Sequence, residues 1–246
     1  MKIALIGYGK MGRTIERVAH ELNHEIIVRI DSEDDWIKFG AQLDHADVAI
    51  EFTTPSTVAK NIMRCFALGI PVVSGTTNWD DMKNSLKVEC ENTGSAIVAA
   101  SNFSLGVNLF YRISNYAASL MKLFTQYDVR IEEVHHLQKL DAPSGTAKVL
   151  ANNLLKIYNH KTRWVNTDTD DKNLLAISSK RLGDVTGDHT ITFFSESDEI
   201  QLKHAARSRD GFAHGAILAA GWVIGKKGWF TMDDVLGELT GNDAGV

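Results

Sequence analysis

The sequence is sparing in several features that would direct it to specialised classes. Only two cysteines occur in 246 residues, Cys65 and Cys90, and they lack metal-ligand spacing. A disulfide scaffold is therefore not expected, and no metal is expected. Two reduced thiols fit a cytoplasmic protein. Clustered basic residues are also missing: the net charge is -5, the isoelectric point is near 6.0, and the longest basic run of note is Lys226-Lys227. A duplex-binding protein carries a basic face, so nucleic acid is not an expected partner. No apolar run approaches the ~20 residues of a membrane span, so no membrane partner is expected. The opening MKIALIGYGKMG lacks the long apolar core and cleavage site of a secretory signal. Internal repeats and low-complexity tracts are absent as well.

What remains is a chain with 44% hydrophobic and 23% charged residues, able to fill one large core or two modest ones. Residues 2–6 (KIALI) read as a short buried strand. Met11 to Leu22 carries Ile15, Val18, Ala19 and Leu22 at helical spacing, and His24 to Ile30 is a second apolar strand ending at Asp31. The pattern then repeats. Strands are expected at 48–52, 71–74 and 96–99, with helices at 57–68 and 79–93. Alternating strands and helices predict a parallel sheet covered on both faces.

Past Phe103 the pattern changes. A long amphipathic helix is expected at 108–123, a strand at 127–134 and a helix at 146–157. The polar stretch 159–173 reads as a loop. Residues 174–179, 189–195 and 199–204 alternate apolar and polar, as antiparallel strands do. An Ala- and Gly-rich helix at 212–224 suits close packing against the first domain. The expected architecture is α/β: a Rossmann-type doubly wound sheet from residues 1–105 and 212–246, with an inserted α+β domain of mixed sheet at 106–211.

Gly7-Tyr8-Gly9-Lys10-Met11-Gly12 is a G-x-G-x-x-G turn between a strand and a helix, with Asp31 nearly twenty residues on. Gly7 permits a tight turn, Gly9 lets a pyrophosphate approach the backbone, and Gly12 lets helix pack on strand. Free N–H groups at the helix start attract the phosphates. Asp31 would accept hydrogen bonds from ribose hydroxyls. The same charge repels the 2′-phosphate of NADPH, which Lys10 and Arg29 are positioned in sequence to offset. Cofactor preference stays open between NADH and both cofactors. Gly75-Thr76-Thr77 and Ser101-Asn102-Phe103 follow later strand ends, where ligands of such sheets collect.

Residues 132–147 read EEVHHLQKLDAPSGTA. Two histidines, His135 and His136, are followed by Lys139. Ser144 is a good helix cap, and Gly145 and Thr146 then present backbone N–H groups at a helix start, an anion site. Cationic groups beside an anion site suit a small carboxylate substrate.

On these residues the chain resembles the dihydrodipicolinate reductase family along essentially its whole length. Glu133 to Ala147 matches the family's E-x-H-H-x-x-K-x-D-A-P-S-G-T-A signature. Glu51 to Pro55, Gly75-Thr76-Thr77 and Asn102-Phe103-Ser104 fall in family order. Arg181 to Val185 with Gly187 and His189 resembles its R-x-G-D-x-x-G-x-H segment, and Phe212 to Ala216 its returning helix. The resemblance implies reduction of a cyclic dicarboxylate by NADH or NADPH in lysine and diaminopimelate biosynthesis. It implies His135 as general acid/base and Lys139 as a second proton donor. His136, Ser144, Gly145 and Thr146 would hold the substrate, and the protein would be a homotetramer built through the second domain's sheet. The sequence departs from the family in three places. The first turn is one residue shorter, with Lys10 where arginine is usual. Ser32 stands where some members have arginine. The segment before Arg181 lacks a histidine- and glycine-rich run. A different amino-acid dehydrogenase and a non-catalytic NAD(H) sensor are the alternatives, both opposed by the intact His-His and Ser-Gly-Thr segment.

Overall fold

The computed structural model describes residues 1–241; residues 242–246, the end of the segment expected to rejoin the first domain, lie outside the described residues. The first half contains β1 (Lys2–Ile6), α1 (Lys10–Glu21), β2 (Glu25–Ile30), α2 (Glu33–Phe39), β3 (Val48–Glu51), α3 (Val58–Ala67), β4 (Val72–Ser74), α4 (Asp80–Thr93) and β5 (Ala96–Ala99). The second half contains α5 (Leu105–Met121), β6 (Asp128–His135), α6 (Gly145–Ile157), β7 (Arg163–Val165), β8 (Leu174–Arg181), β9 (Asp188–Phe194), β10 (Glu199–Ala205), α7 (Asp210–Val223), β11 (Gly228–Phe230) and α8 (Met232–Thr240). The chain divides into two compact units, Met1–Leu105 with the described residues from Arg209, and Gly106–Ser208.

The first unit is built on a six-stranded parallel sheet in the order β11-β5-β4-β3-β1-β2. Ile3, Ala4, Leu5 and Ile6 of β1 are all essentially inaccessible. That is the near-continuous apolar run of a strand covered on both faces, and burying each large side chain contributes roughly 1.5–3 kcal/mol. On one face α1 supplies Ile15, Val18 and Ala19, and α7 supplies Ala213, Ala216, Ala219 and Ala220. The small residues of α7 have a visible cause. A Cβ at Gly215 would overlap the carbonyl oxygen of Phe103, so the helix lies directly against that backbone. The chain proceeds from β1 to β2 on one side and then crosses to β3 on the other. The carboxyl ends of β1 and β3 therefore form the switch point where such sheets take ligands.

The second unit has a five-stranded sheet in the order β10-β9-β6-β8-β7. Strand β9 is antiparallel to both neighbours, whereas β8 runs parallel to β6 and β7 parallel to β8. The expectation that residues 174–179 join an antiparallel set is thus corrected. Helix α6 carries the chain back across the sheet, and that crossover makes β6 and β8 parallel. Val129 and Ile131 of β6, Leu150 and Leu154 of α6, Ile177, Ile191 and Phe193 form its core. The stretch 159–173 is not wholly a loop, since β7 lies within it. At three residues on a sheet edge, β7 shows no burial alternation to read.

Candidate functional site

At the carboxyl end of β1, Gly7 takes φ +94°, and a Cβ there would overlap the carbonyl oxygen of Phe52. Only glycine adopts this turn without strain. A Cβ at Gly12 would overlap the carbonyl oxygen of Gly7, so α1 starts in direct contact with the turn. Gly9 differs: nothing lies within 4 Å of its would-be Cβ, and it caps α1 without a side-chain bond. Gly7 and Gly12 therefore serve the tight turn and the close packing expected of them, and the space over Gly9 is open. The Tyr8 N–H donates to Asp31 Oδ1 at 2.6 Å, which ties the turn to the end of β2.

The neighbouring side chains are already engaged. The Tyr8 hydroxyl donates to Glu16, and its ring lies under Arg13 and Arg29. Arg29 also donates to Glu16 through Nε at 2.9 Å. That hydrogen bond outweighs burial and holds the Glu16 carboxyl down at about 2. Arg29 is thus committed to Glu16, contrary to the idea that it offsets Asp31. Lys10 is exposed and Met11 half-buried against the core.

Beyond β3 and β4 a buried carboxylate organises two loops. Glu51 is inaccessible and accepts hydrogen bonds from Ser74 Oγ at 2.7 Å and Thr76 Oγ1 at 2.9 Å, and from Thr53 Oγ1. Burial raises its pKa, and the hydroxyl donors oppose that shift. Thr76 Oγ1 also accepts the Thr53 N–H at 2.8 Å, so its side chain works inward; Thr77 is exposed. Gly75 lies against the Phe52 ring, where a Cβ would collide. Ser101 is exposed, and Asn102 Oδ1 accepts the Ser104 N–H at 2.8 Å. Phe103 is buried against Phe52, with ring centroids 5.8 Å apart, so its side chain belongs to the core.

A cavity of about 370 Å³ opens at the switch point. Gly7, Gly9, Asp31 and Ser32 line it on the β1–β2 side, with Thr53 and Thr54 on the β3 side. Trp36, Glu33 and Lys60 complete the wall, and Glu33 pairs with Lys60 at 3.0 Å and with Arg64.

The second cluster of predicted residues lies in the other unit. Pleating sends Val129, Ile131, Glu133 and His135 of β6 to the face that α6 covers. Register then sets their neighbours: Glu133 lies opposite Ser179 and His189, and His135 opposite Arg181. His135 Nδ1 is 3.4 Å from Glu133 Oε2, without the alignment of a hydrogen bond. Burial is the main cause that lowers the His135 pKa, and the Glu133 charge partly restores it. Burial alone would raise the Glu133 carboxyl, but hydrogen bonds from Ser144 and Ser179 and the His135 charge hold it below the ordinary value. His189 is pushed down to about 4, by burial first and the His135 charge second. The donor atoms of Glu133, His135 and His189 lie within 4.8 Å of one another, a spacing a metal ion could also use. The Arg181 guanidinium, 3.6 Å from Glu133, disfavours a second cation there.

Ser144 caps α6 as expected: its Oγ accepts the Ala147 N–H at 3.2 Å. The first N–H bonded back along the helix is that of Lys148, to Ser144 O, so the Gly145 and Thr146 amides stand ahead of the helical ladder. Burial raises the Tyr111 pKa to about 12 against an opposing hydrogen bond with the Thr146 side chain. His136 Nδ1 pairs with Gln138 at 3.1 Å, and Lys139 Nζ with Asp141 at 2.8 Å. Arg181 fastens this loop, donating to Lys139 O at 3.2 Å and Asp141 O at 2.6 Å.

Comparison with known proteins settles the ancestry. Residues 1–103 match the family described as Dihydrodipicolinate reductase, N-terminus, and residues 106–236 match Dihydrodipicolinate reductase, C-terminus. The chain belongs to the dihydrodipicolinate reductase family. The curated 4-hydroxy-tetrahydrodipicolinate reductase of Christiangramia forsetii is 45% identical over 242 residues, covering 98% of this chain and 100% of that protein. The enzyme of the same name from Neisseria gonorrhoeae is 40% identical over 205 residues, 80% of this chain and 75% of that one. A dipicolinate-bound dihydrodipicolinate reductase from Paenisporosarcina sp. TG-14 shares the fold, with TM-score 0.78 at 23% identity, covering 94% of this chain and 97% of that one.

Within the dihydrodipicolinate reductase signature, Glu133 is a site residue that sequence reasoning does not single out, and so are Arg181 and His189 of the later segment. All three were visible as motif letters. Their meeting at one point depends on strand register, and nothing local in the sequence states which residues β8 and β9 set opposite β6.

Proposed function

We propose that this chain reduces 4-hydroxy-tetrahydrodipicolinate to tetrahydrodipicolinate in the lysine and diaminopimelate route. One proton and one reduced nicotinamide dinucleotide, NADH or NADPH, are consumed, and water is released. The observation that carries the reading is the match to a curated reductase along essentially the whole chain, with 45% identity. No described helix is long and apolar enough to cross a membrane.

The cofactor supplies the hydride; this chain's residues hold and orient the reactants and handle the proton. The first turn fits a dinucleotide, because the space over Gly9 is open and α1 begins there with its positive dipole end. Asp31 is assigned to the ribose hydroxyls, and Gly75, Thr77, Ser101 and Asn102 to the nicotinamide end. Asp31 and Glu33 line the cavity, while Lys60 and Arg29 are already paired with acidic residues. That balance favours NADH over NADPH, whose 2′-phosphate would meet carboxylates.

His135 is assigned as the proton donor. Its pKa is lowered in the free protein, so the imidazole is largely neutral at pH 7. Two substrate carboxylates arriving beside it would raise the pKa, so a proton is taken up with substrate. Lys139 would exchange its Asp141 partner for a substrate carboxylate and add positive charge where electrons collect. The Gly145 and Thr146 amides, capped by Ser144, would hold the other carboxylate, and His136 would complete the grip.

A homotetramer is the assembly we infer from family membership. In its support, α5 exposes Ile113, Tyr116 and Leu120 on one side. A cytoplasmic location fits the two buried free thiols, Cys65 and Cys90. The test of function is direct. Purified protein is mixed with NADH or NADPH and the aldolase product of pyruvate and aspartate semialdehyde, and absorbance of the reduced nicotinamide is followed. Loss of signal with that substrate alone supports the reductase. Cofactor binding without turnover would make the chain a sensor.

A further inference from the structure

No step above uses Glu133, yet it is a wholly buried charge in the second unit. Its position on β6 continues the inward series Val129, Ile131, so an apolar side chain would extend the core there. A carboxylate in that place is costly unless hydrogen bonds and nearby basic groups compensate it. A backbone donor and three basic side chains surround it here. The Ser144 N–H donates to both oxygens, at 3.1 Å each. Arg181 Nη1 lies 3.6 Å from Oε1. His135 Nδ1 and His189 Nε2 lie 3.4 Å and 3.8 Å from Oε2. His189 Nε2 also shares a hydrogen bond with Ser144 Oγ at 3.1 Å, which closes the ring back on the α6 cap.

We propose that Glu133 is the positioning residue of this active site: one buried carboxylate orients the His135 imidazole and anchors the first turn of α6, so proton donor and anion cradle share one reference point. The inference rests on the assignment of His135 and the start of α6 to the reductase reaction. An ionised carboxylate only accepts hydrogen bonds. Its charge, 3.4 Å from Nδ1, therefore favours the proton on that nitrogen and leaves Nε2 as the one that exchanges a proton with substrate. Space around Nε2 agrees. Gly187 lies beside it, and a Cβ there would come within 3.0 Å. The ionisable groups around the imidazole are Glu133 on its own strand, Arg181 on β8, His189 on β9, and Lys139 and Asp141 on the following loop. Among them, the Glu133 charge acts most strongly to raise the pKa of His135.

Two measurements test this. In the unaltered protein with ¹⁵N-labelled histidine, NMR reads the tautomer of neutral His135. The expected form carries its proton on Nδ1; a proton on Nε2 would overturn the proposal. In Glu133→Gln the carbonyl oxygen still accepts the Ser144 N–H, but the charge is gone. Turnover should fall about 10²-fold, the scale of a general acid's contribution, with a smaller rise in substrate KM. The Kd for NADH, measured by fluorescence titration, should not change. The limb of the kcat profile that falls at high pH should move to lower pH, and Glu133→Asp should recover part of the loss without that movement. A Glu133→Gln variant with normal turnover and an unmoved profile would refute the role, as would a loss that tracks only thermal stability. If Glu133→Gln does not fold, the tautomer measurement decides. Unaltered protein that fails to turn over the cyclic dicarboxylate would instead refute the reductase reading.

Discussion

Two alanine substitutions in the first turn separate ligand approach from packing. In Gly12→Ala the new Cβ overlaps the Gly7 carbonyl oxygen and comes to 3.1 Å from the carbonyl carbon. Both atoms are backbone, so α1 or the turn must shift. Overpacking a rigid contact costs about 1–3 kcal/mol, and the upper end applies here. Alanine recovers up to about 1 kcal/mol of helix propensity. The net expectation is a loss of about 2 kcal/mol, seen as a Tm lower by roughly 4–8 °C for a chain of this length, together with weaker NADH binding. In Gly9→Ala the Cβ meets nothing within 4 Å, and the backbone, with φ -75° and ψ -153°, suits any residue. Stability should change by less than about 0.5 kcal/mol. The methyl group would occupy the space assigned to the pyrophosphate, so the NADH Kd should rise at least about tenfold, near 1.4 kcal/mol. Thermal melts and fluorescence titrations of both variants read these effects. A Gly9→Ala protein that binds NADH normally would refute the assignment of that space, and a Gly12→Ala protein with normal Tm would refute the close contact.

Four further outcomes are expected. His135→Gln should lower kcat by ~10²-fold or more with cofactor Kd unchanged, while Lys139→Ala should damage turnover and substrate KM together; steady-state kinetics separates the two. Glu33→Gln releases Lys60 and Arg64 beside the cofactor cavity, so kcat/KM with NADPH should rise relative to NADH, and an unchanged ratio would remove Glu33 from specificity. Acid should destabilise the fold through His189, neutral and buried with its pKa near 4. The unfolded chain takes up this proton near pH 6.5, so stability is intact above that value. It then falls by about 1.4 kcal/mol per pH unit down to about pH 4. Denaturant titrations across that range should lose this slope in His189→Asn.

Elements with long burial patterns were legible from the sequence. The strand expected at 96–99 has those limits in the structure, and α1, α3, α4 and α6 lie within one residue of their expected ends. Short edge elements were not. Helix α2 has no buried residue, and its start is marked only by the Ser32–Asp35 capping box. Helix α8 begins at the similar Thr231–Asp234 box, and β11 has three residues beginning at a glycine. The site divides the same way. The glycine turn and the α6 cap are local patterns, and sequence spacing states them. The convergence of Glu133, Arg181 and His189 is a register effect across three strands, which spacing does not encode.

The most direct test of the account follows the hydride itself. NADH deuterated at the transferred position is incubated with the cyclic aldolase product, and the reduced product is analysed by mass spectrometry. One deuterium in tetrahydrodipicolinate, formed at a rate that drops in His135→Gln, is the predicted result. Oxidised cofactor without label in the product, or bound cofactor that stays reduced, would contradict it.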